Sequence, residues 1–124
     1  MKKGTFFQSF FAAWQGVVYV VKTQRNMRIH LAVALLVILG GYFFEVSINE
    51  WLVLILIIAV VLIAESINTA VEATMDLLTE EYHPLAKIAK DTAAGAVLLA
   101  ALSSVVIGII IFYGKVYNLF QNWF

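Results

Sequence analysis

The feature that most limits the possible folds of this chain is an uncharged apolar run of 22 residues, Thr92–Tyr113. A helix needs about 20 residues, at roughly 1.5 Å each, to cross the roughly 30 Å of hydrocarbon in a bilayer. This run is therefore long enough to span a membrane by itself. The composition agrees, because 63% of the residues are hydrophobic and only 13% are charged, against about 25% charged in soluble proteins. The sequence predicts an all-α integral membrane protein.

Two shorter uncharged runs, Leu31–Phe44 and Trp51–Ala64, predict two further spans once they recruit polar neighbours. The second of these spans must then carry Glu65 and Asn68 at or near membrane depth, which is costly and points to a function. We expect a single membrane domain over residues 1–124. Its expected parts are an interfacial helix at residues 5–23, span 1 at 29–48, span 2 with its cytoplasmic extension at 49–75, a cytoplasmic loop at 76–91 and span 3 at 92–114.

The segment before the first span predicts an amphipathic helix, because bulky apolar residues recur there at helical spacing. These residues are Phe6, Phe7, Phe10, Phe11, Trp14, Val17, Val18 and Val21. We expect this helix to lie in the cytoplasmic interface, with its aromatic side chains at the lipid boundary. The alternative is a helix packed on the chain's own spans, and the two arrangements are compatible.

Positive charge is distributed asymmetrically along the chain, and this asymmetry sets the expected orientation. Seven of the eight Lys and Arg residues precede span 1 or lie between spans 2 and 3; they are Lys2, Lys3, Lys22, Arg25, Arg28, Lys87 and Lys90. The N-terminus and the 76–91 segment should therefore be cytoplasmic. The net charge is zero, so no large basic field would attract nucleic acid. Because the chain has no cysteine, it has no thiol nucleophile and no thiolate metal site.

Polar residues form one narrow stripe along the helix that ends span 2, because they recur at helical spacing. The stripe consists of Glu65, Asn68, Thr69, Glu72 and Asp76. Its carboxylates repel one another, so the stripe is stable if a cation neutralises it or if one carboxylate is protonated. Magnesium suits such an all-oxygen site and commonly brings phosphates with it. The alternative is a polar seam paired with another helix, although few compensating bases lie nearby in the sequence.

Lys90 and Asp91 stand at the entry to span 3 and allow two interpretations. In the first, Asp91 caps the helix or interacts with its dipole, and Lys90 anchors the helix at the membrane surface. In the second, the small residues that follow, Thr92–Ala96, let another helix approach closely and bring the acidic stripe against Lys90. A lysine that faces a magnesium-bearing carboxylate cluster is suited to holding the phosphates of a nucleotide.

Three segments together resemble the signature of the prokaryotic diacylglycerol kinase family, which includes the undecaprenol kinases of Gram-positive bacteria. They are Glu65-Ser-Ile-Asn68-Thr-Ala-Val-Glu72, Glu81-Tyr82-His83 and Ala89-Lys90-Asp91-Thr-Ala-Ala. The resemblance extends over nearly the whole chain. It implies a homotrimer of three-span subunits in the bacterial cytoplasmic membrane. It also implies transfer of the γ-phosphate of ATP, with Mg²⁺ as cofactor, to a lipid hydroxyl at the cytoplasmic interface.

The resemblance also implies a role for individual residues. Glu65 would be the general base that accepts the proton of the lipid hydroxyl, and Glu72 and Gln24 would be the metal ligands. The residues implied to bind nucleotide are Gln24, Arg25, Asn68, Glu72, Asp76, Tyr82, His83, Lys90 and Asp91. The family typically carries a metal-binding glutamate where this chain has Gln24. A glutamine oxygen still binds magnesium but without charge, so weaker metal affinity is expected.

The expected lipid substrate is undecaprenol, because Arg25-Asn26-Met27-Arg28 and Asn68-Thr69-Ala70 resemble the Gram-positive branch. Diacylglycerol is the alternative substrate. Two alternatives of another class are a small ion or proton transporter, which also uses intramembrane carboxylates, and a non-catalytic membrane subunit. The clustering of polar residues at one membrane edge favours the kinase over the transporter.

Overall fold

A computed structural model describes residues 4–123, and four helices account for most of them. They are α1 (Phe6–Thr23), α2 (Arg25–Phe43), α3 (Ile48–Leu78) and α4 (Pro84–Trp123). Three of these helices, α2, α3 and α4, are long and apolar enough to cross a membrane, which confirms the prediction of a three-span α-helical protein. Lys2 and Lys3, which entered the charge count above, lie outside the described residues.

Two of the helices begin at a capping box. In this motif the side chains of two residues three positions apart each accept a hydrogen bond from the backbone N–H group of the other residue. At the start of α1, the hydroxyl of Thr5 accepts from the N–H of Gln8, and the Gln8 side chain accepts from the N–H of Thr5 at 2.9 Å. Ser47 and Glu50 form the same arrangement at the start of α3, where the Ser47 N–H donates to Glu50 Oε2 at 2.7 Å. These caps explain why α1 and α3 begin where they do.

The segment 76–91, expected to be a loop, is instead helical at both ends. Helix α3 continues to Leu78 and α4 begins at Pro84, so residues 79–83 alone connect them. Proline suits the first position of a helix because its missing N–H group would have no helical partner there. His83 closes the same helix end, because its Nδ1 accepts from the N–H of Leu85 at 3.2 Å. The apolar runs end within α3 and α4, but both helices continue through the polar residues beyond those runs.

The helix that contains the first expected span starts and ends earlier in the sequence than the predicted bounds of that span. The span was predicted at residues 29–48, but α2 starts at Arg25 and ends at Phe43. A tight turn follows, in which Glu45 has a positive φ of 50° and the N–H of Val46 donates to the carbonyl of Gly41. The polar residues at the start of α2 are therefore part of the helix and are presented to its neighbours.

Helix α3 is the centre of the bundle, because it contacts each of the other three helices and packs most extensively against α4. At the end of the bundle remote from the acidic stripe, Leu54 of α3 packs with Val46 and with Ile111 of α4 in a small apolar core. Many large apolar side chains along α2, α3 and α4 are exposed. In a membrane protein, lipid covers such surfaces.

The two adjacent glycines of α2 provide a test of this packing. A Cβ at Gly41 would lie 2.6 Å from Cη2 of Trp51, whereas a Cβ at Gly40 would lie 3.6 Å from the Phe112 ring, an ordinary contact. We expect Gly41→Ala to lower the free energy of unfolding by about 1–3 kcal/mol relative to Gly40→Ala, because overpacking displaces the indole. Thermal unfolding in detergent measures the difference, and equal stability of the two variants would contradict the packing described.

Candidate functional site

Three residues of the acidic stripe line one cleft, here called the inner cleft. Glu65, Asn68 and Glu72 of α3 form one wall, and Asn26 and His30 of α2 face them. Apolar residues of α2 and α4 complete the lining, and the open cleft has a volume of about 380 Å³. The structure thus brings together side chains that the helical spacing placed on one face.

The inner cleft contains two buried oxygen atoms without partners. Glu65 is 1% exposed and Asn68 is 6% exposed. The Nδ2 of Asn68 donates to Oε1 of Glu72 at 3.1 Å, which turns the amide oxygen away from Glu72. Neither Oδ1 of Asn68 nor Oε2 of Glu65 has a hydrogen-bond partner within the described residues. Buried acceptors without partners cost about 1–3 kcal/mol each, so the arrangement is suited to a ligand that supplies a cation or a donor.

Thr69 is on the stripe by sequence, but the structure places it outside the inner cleft. Its hydroxyl donates to the carbonyl of Glu65 at 2.9 Å, which satisfies it within α3. The side chain lines a separate groove between α1 and α3, together with Val20 and Ala70. The oxygen-rich wall of the cleft therefore consists of carboxylates and an amide, without the hydroxyl.

A second cleft of about 550 Å³, here called the outer cleft, lies at the ends of α3 and α4 and at the connection between them. The predicted nucleotide-binding residues that line it are Asp76, Tyr82, His83, Lys90 and Asp91. Glu72 and Asp76 are one turn apart on α3, so the inner and outer clefts are adjacent along that helix. All the predicted site residues of α3 and α4, together with Tyr82 and His83 of the connection, line one of these two clefts.

Ion pairs order the outer cleft. Lys90 Nζ lies 2.6 Å from Oδ1 of Asp76, and Lys87 pairs with Asp91. Lys90 precedes the uncharged run of α4, and its hydrogen bond with Asp76 raises its pKa above the ordinary lysine value. Both lysines are partly exposed, so an incoming phosphate can exchange for their carboxylate partners at small cost.

Gln24 and Arg25 line neither cleft within one chain. Gln24 lies at the junction of α1 and α2, where its N–H donates to the carbonyl of Val20 at 2.8 Å. Arg28 has a structural contact at the same junction, because its Nη1 donates to the carbonyls of Val21 and Lys22 at the end of α1. The implied roles of Gln24 and Arg25 at the nucleotide remain predictions.

The donor set of the inner cleft fits magnesium in one specific way. Among residues 4–123 no three acidic or histidine side chains converge closely enough to hold a metal ion by themselves. Magnesium usually binds proteins through one or two carboxylates, with phosphate oxygens and water as its other ligands. Glu72, with the unpartnered oxygens beside it, matches that pattern, so a metal would arrive with the nucleotide.

Several polar residues that line the two clefts were not predicted to form part of the site, and Thr79 and Glu80 of the outer cleft are among them. Asn26 and His30 line the inner cleft, and Lys87 lines the outer cleft. Asn26 and His30 are four residues apart on α2 and therefore lie on one face. That spacing was the signal available in the sequence, at the polar start of an otherwise apolar span.

Three candidate spans and an oxygen-rich cleft beside one of them are features of a membrane enzyme. Comparison with known proteins gives its family. The sequence profile of the family described as "Prokaryotic diacylglycerol kinase" matches residues 11–112. The undecaprenol kinase of Bacillus subtilis is 46% identical over 110 residues, which is 89% of each chain. The chain belongs to the prokaryotic diacylglycerol kinase family.

Two further relatives are named as diacylglycerol kinases. The protein of Synechocystis sp. is 48% identical over 101 residues, covering 81% of this chain and 58% of the relative. The protein of Escherichia coli K12 is 30% identical over 94 residues, covering 76% and 77%. The chain is therefore a membrane lipid kinase, and membership of a kinase family implies a nucleotide as phosphoryl donor.

The unpartnered carboxylate makes a prediction about stability. We expect Glu65→Gln to unfold at the same temperature as the parent or a higher one, because it removes a buried ionisable group that has no partner. Thermal unfolding in detergent without nucleotide measures this effect. Leu54→Ala, which truncates an equally buried apolar side chain, should instead cost about 2–5 kcal/mol. A large loss of stability in Glu65→Gln would show that Glu65 is a structural partner.

Proposed function

We propose that this kinase transfers the γ-phosphate of ATP to the hydroxyl of undecaprenol at the cytoplasmic face of the bacterial cell membrane. The observation that carries the proposal is the pair of buried, unpartnered oxygens of Glu65 and Asn68 beside Glu72 in the inner cleft. The B. subtilis undecaprenol kinase, which matches 89% of both chains, supports the substrate. Diacylglycerol remains the second candidate, because the 48% identical Synechocystis relative is named for it.

Glu65 is the proposed general base. It is the carboxylate of the stripe nearest the apolar part of α3, since the uncharged run Trp51–Ala64 precedes it directly. A lipid hydroxyl held in the membrane therefore meets Glu65 before the other carboxylates. As the hydroxyl oxygen bonds to the γ-phosphorus, the bond from that phosphorus to the β,γ-bridging oxygen breaks and ADP leaves. Oε2 of Glu65 accepts the hydroxyl proton, which it is free to do because it has no other partner.

The remaining polar residues position the nucleotide. Glu72, oriented by the amide of Asn68, would hold Mg²⁺ together with phosphate oxygens, and the ion would supply charge neutralisation of the phosphates. Asp76, Lys90 and Asp91 in the outer cleft would bind the part of the nucleotide that lies further from the lipid. In this proposal the γ-phosphate would lie between Glu65 and Glu72, and the rest of the nucleotide would extend towards Asp76.

The proposed orientation puts the inner and outer clefts on the cytoplasmic side, because positive residues accompany them. α1 lies in the same interface in this proposal, with exposed aromatic side chains such as Phe6, Phe10 and Trp14 in the lipid boundary. We also propose a homotrimer, since the inner cleft is open and Gln24 and Arg25 lie away from it in their own chain. A neighbouring subunit would bring these residues to the nucleotide.

The experiment that tests the proposed function is phosphorylation of a lipid panel by the purified protein in nanodiscs with labelled ATP and magnesium. We expect label on undecaprenol, and much less on diacylglycerol, because a relative that matches 89% of both chains is an undecaprenol kinase. Preferential labelling of diacylglycerol would overturn the substrate alone. If no lipid were labelled, the proposed activity would be wrong.

The role of Glu65 has its own test. We expect Glu65→Gln to lower turnover at least about 100-fold, because an amide cannot accept the hydroxyl proton, while the affinity for the magnesium complex of a non-hydrolysable ATP analogue changes little. Initial rates and equilibrium titration measure the two effects. Glu45→Gln, the same change in the exposed turn between α2 and α3, is the matched control and should leave both values as in the parent. Lost binding with residual turnover would contradict the assignment.

Gln24 tests the metal assignment. We expect Gln24→Glu to lower the magnesium concentration needed for half-maximal rate, because a charged oxygen ligand replaces a neutral one. A magnesium titration at saturating ATP measures the shift. An unchanged or higher magnesium requirement would count against Gln24 as a ligand.

A further inference from the structure

We infer that an apolar groove between α2, α3 and α4 binds the hydrocarbon chain of the lipid alcohol; the inference rests on the proposed function. This groove, here called the chain groove, has a volume of about 200 Å³. Its lining includes Val33 and Val37 of α2, Val61 of α3 and Gly108 of α4. Three helices enclose it, so it is a defined space within the bundle.

His30 connects the chain groove to the proposed catalytic site, because its side chain lines both the groove and the inner cleft. Val61 is one helical turn before Glu65 on α3. A chain lying in the groove would therefore end close to the carboxylate. The alcohol at the end of that chain would arrive beside His30 and Glu65, where a hydrogen-bonding partner is available.

Two other apolar grooves lack this connection. One lies between α1 and α3 and includes Ala13 and Ala70, and the other lies between α3 and α4 and includes Ile63 and Ala96. Neither shares a lining residue with the inner cleft. Of the apolar grooves described, the chain groove alone delivers an occupant to Glu65.

The chemistry of the groove favours a single hydrocarbon chain with a terminal hydroxyl. Its lining is aliphatic except for His30 at the mouth and Ser104, whose hydroxyl already donates to the carbonyl of Ala101 at 2.7 Å. A polyprenol places only hydrocarbon in such a space. A diacylglycerol has ester groups next to its hydroxyl, and burial of these acceptors without donors is unfavourable.

Gly108 allows the groove to be narrowed without disturbing the fold. A Cβ at Gly108 would meet no atom within 4 Å, so a larger side chain has room to enter the groove. Gly114 lies on the same helix, also meets no atom within 4 Å, and is not part of the groove lining. Gly108→Leu and Gly114→Leu therefore change helix propensity equally and differ in whether they fill the groove.

The test is steady-state kinetics of the two variants in nanodiscs with undecaprenol and ATP. We expect Gly108→Leu to raise the KM for undecaprenol at least fivefold and to leave the KM for ATP unchanged, while Gly114→Leu behaves as the parent. An unchanged lipid KM in an active Gly108→Leu variant would overturn the inference while leaving the proposed function intact. A parent protein that phosphorylates no lipid would instead overturn the proposed function.

A second measurement keeps the inference testable if Gly108→Leu fails to fold. The parent protein is photolabelled with a polyprenol that carries a diazirine within its hydrocarbon chain, away from the hydroxyl, and the labelled peptides are identified by mass spectrometry. We expect label on the groove-lining parts of α2 and α4, at Val33, Val37 and Gly108. Label confined to α1 or to outward-facing side chains would contradict the inference. A loss of oligomers in Gly108→Leu would show that a second copy of the chain occupies the groove, which also overturns it.

Discussion

A carboxylate buried in the middle of α3, directly after its uncharged run, is the constraint on which this structure depends. Glu65 is almost fully buried, and one of its oxygens has no hydrogen-bond partner among the described residues. The free energy for this must come from the surrounding helix packing, above all of α3 against α4. A cost of this kind is expected where a group has a role in chemistry. Removing the carboxylate should therefore remove a cost in folding free energy and lower the turnover of the enzyme.

The arrangement of α3 divides the site by depth. Residues before Glu65 are apolar and adjoin the chain groove, Glu65 to Glu72 form the oxygen-rich wall of the inner cleft, and Asp76 begins the outer cleft with its ion pairs. Along its length, α3 therefore presents an apolar surface, then an oxygen-rich wall and then an ion-paired end, which the proposed function assigns to the lipid chain, the alcohol and the nucleotide. Phosphoryl transfer depends mainly on such positioning and on charge neutralisation, which explains how so small a chain can form a kinase.

Much of this followed from the sequence, since apolar runs such as Thr92–Tyr113 and the helical spacing of Glu65, Asn68 and Glu72 are local properties. The extent of α4 before its apolar run did not follow from hydropathy. It depends on Pro84 at the first helical position and on capping by His83. His30 was missed for a different reason. Its spacing from Asn26 places both residues on one face of α2, but whether that face meets the acidic stripe depends on how α2 packs on α3. Gln24 lines neither cleft within its own chain, so its implied role stays a prediction.

Binding of a divalent ion and a nucleotide at the inner cleft can be tested by the paramagnetic broadening of spin labels on α4. The chain lacks cysteine, so Leu98→Cys, at an exposed side chain on the rim of the cleft, and Ile110→Cys, about 18 Å further along α4, each accept a single nitroxide label. With Mn²⁺ and a non-hydrolysable ATP analogue, the account predicts strong nucleotide-dependent broadening of the label at position 98 and little at position 110. Equal broadening at both positions, or none at position 98, would contradict it.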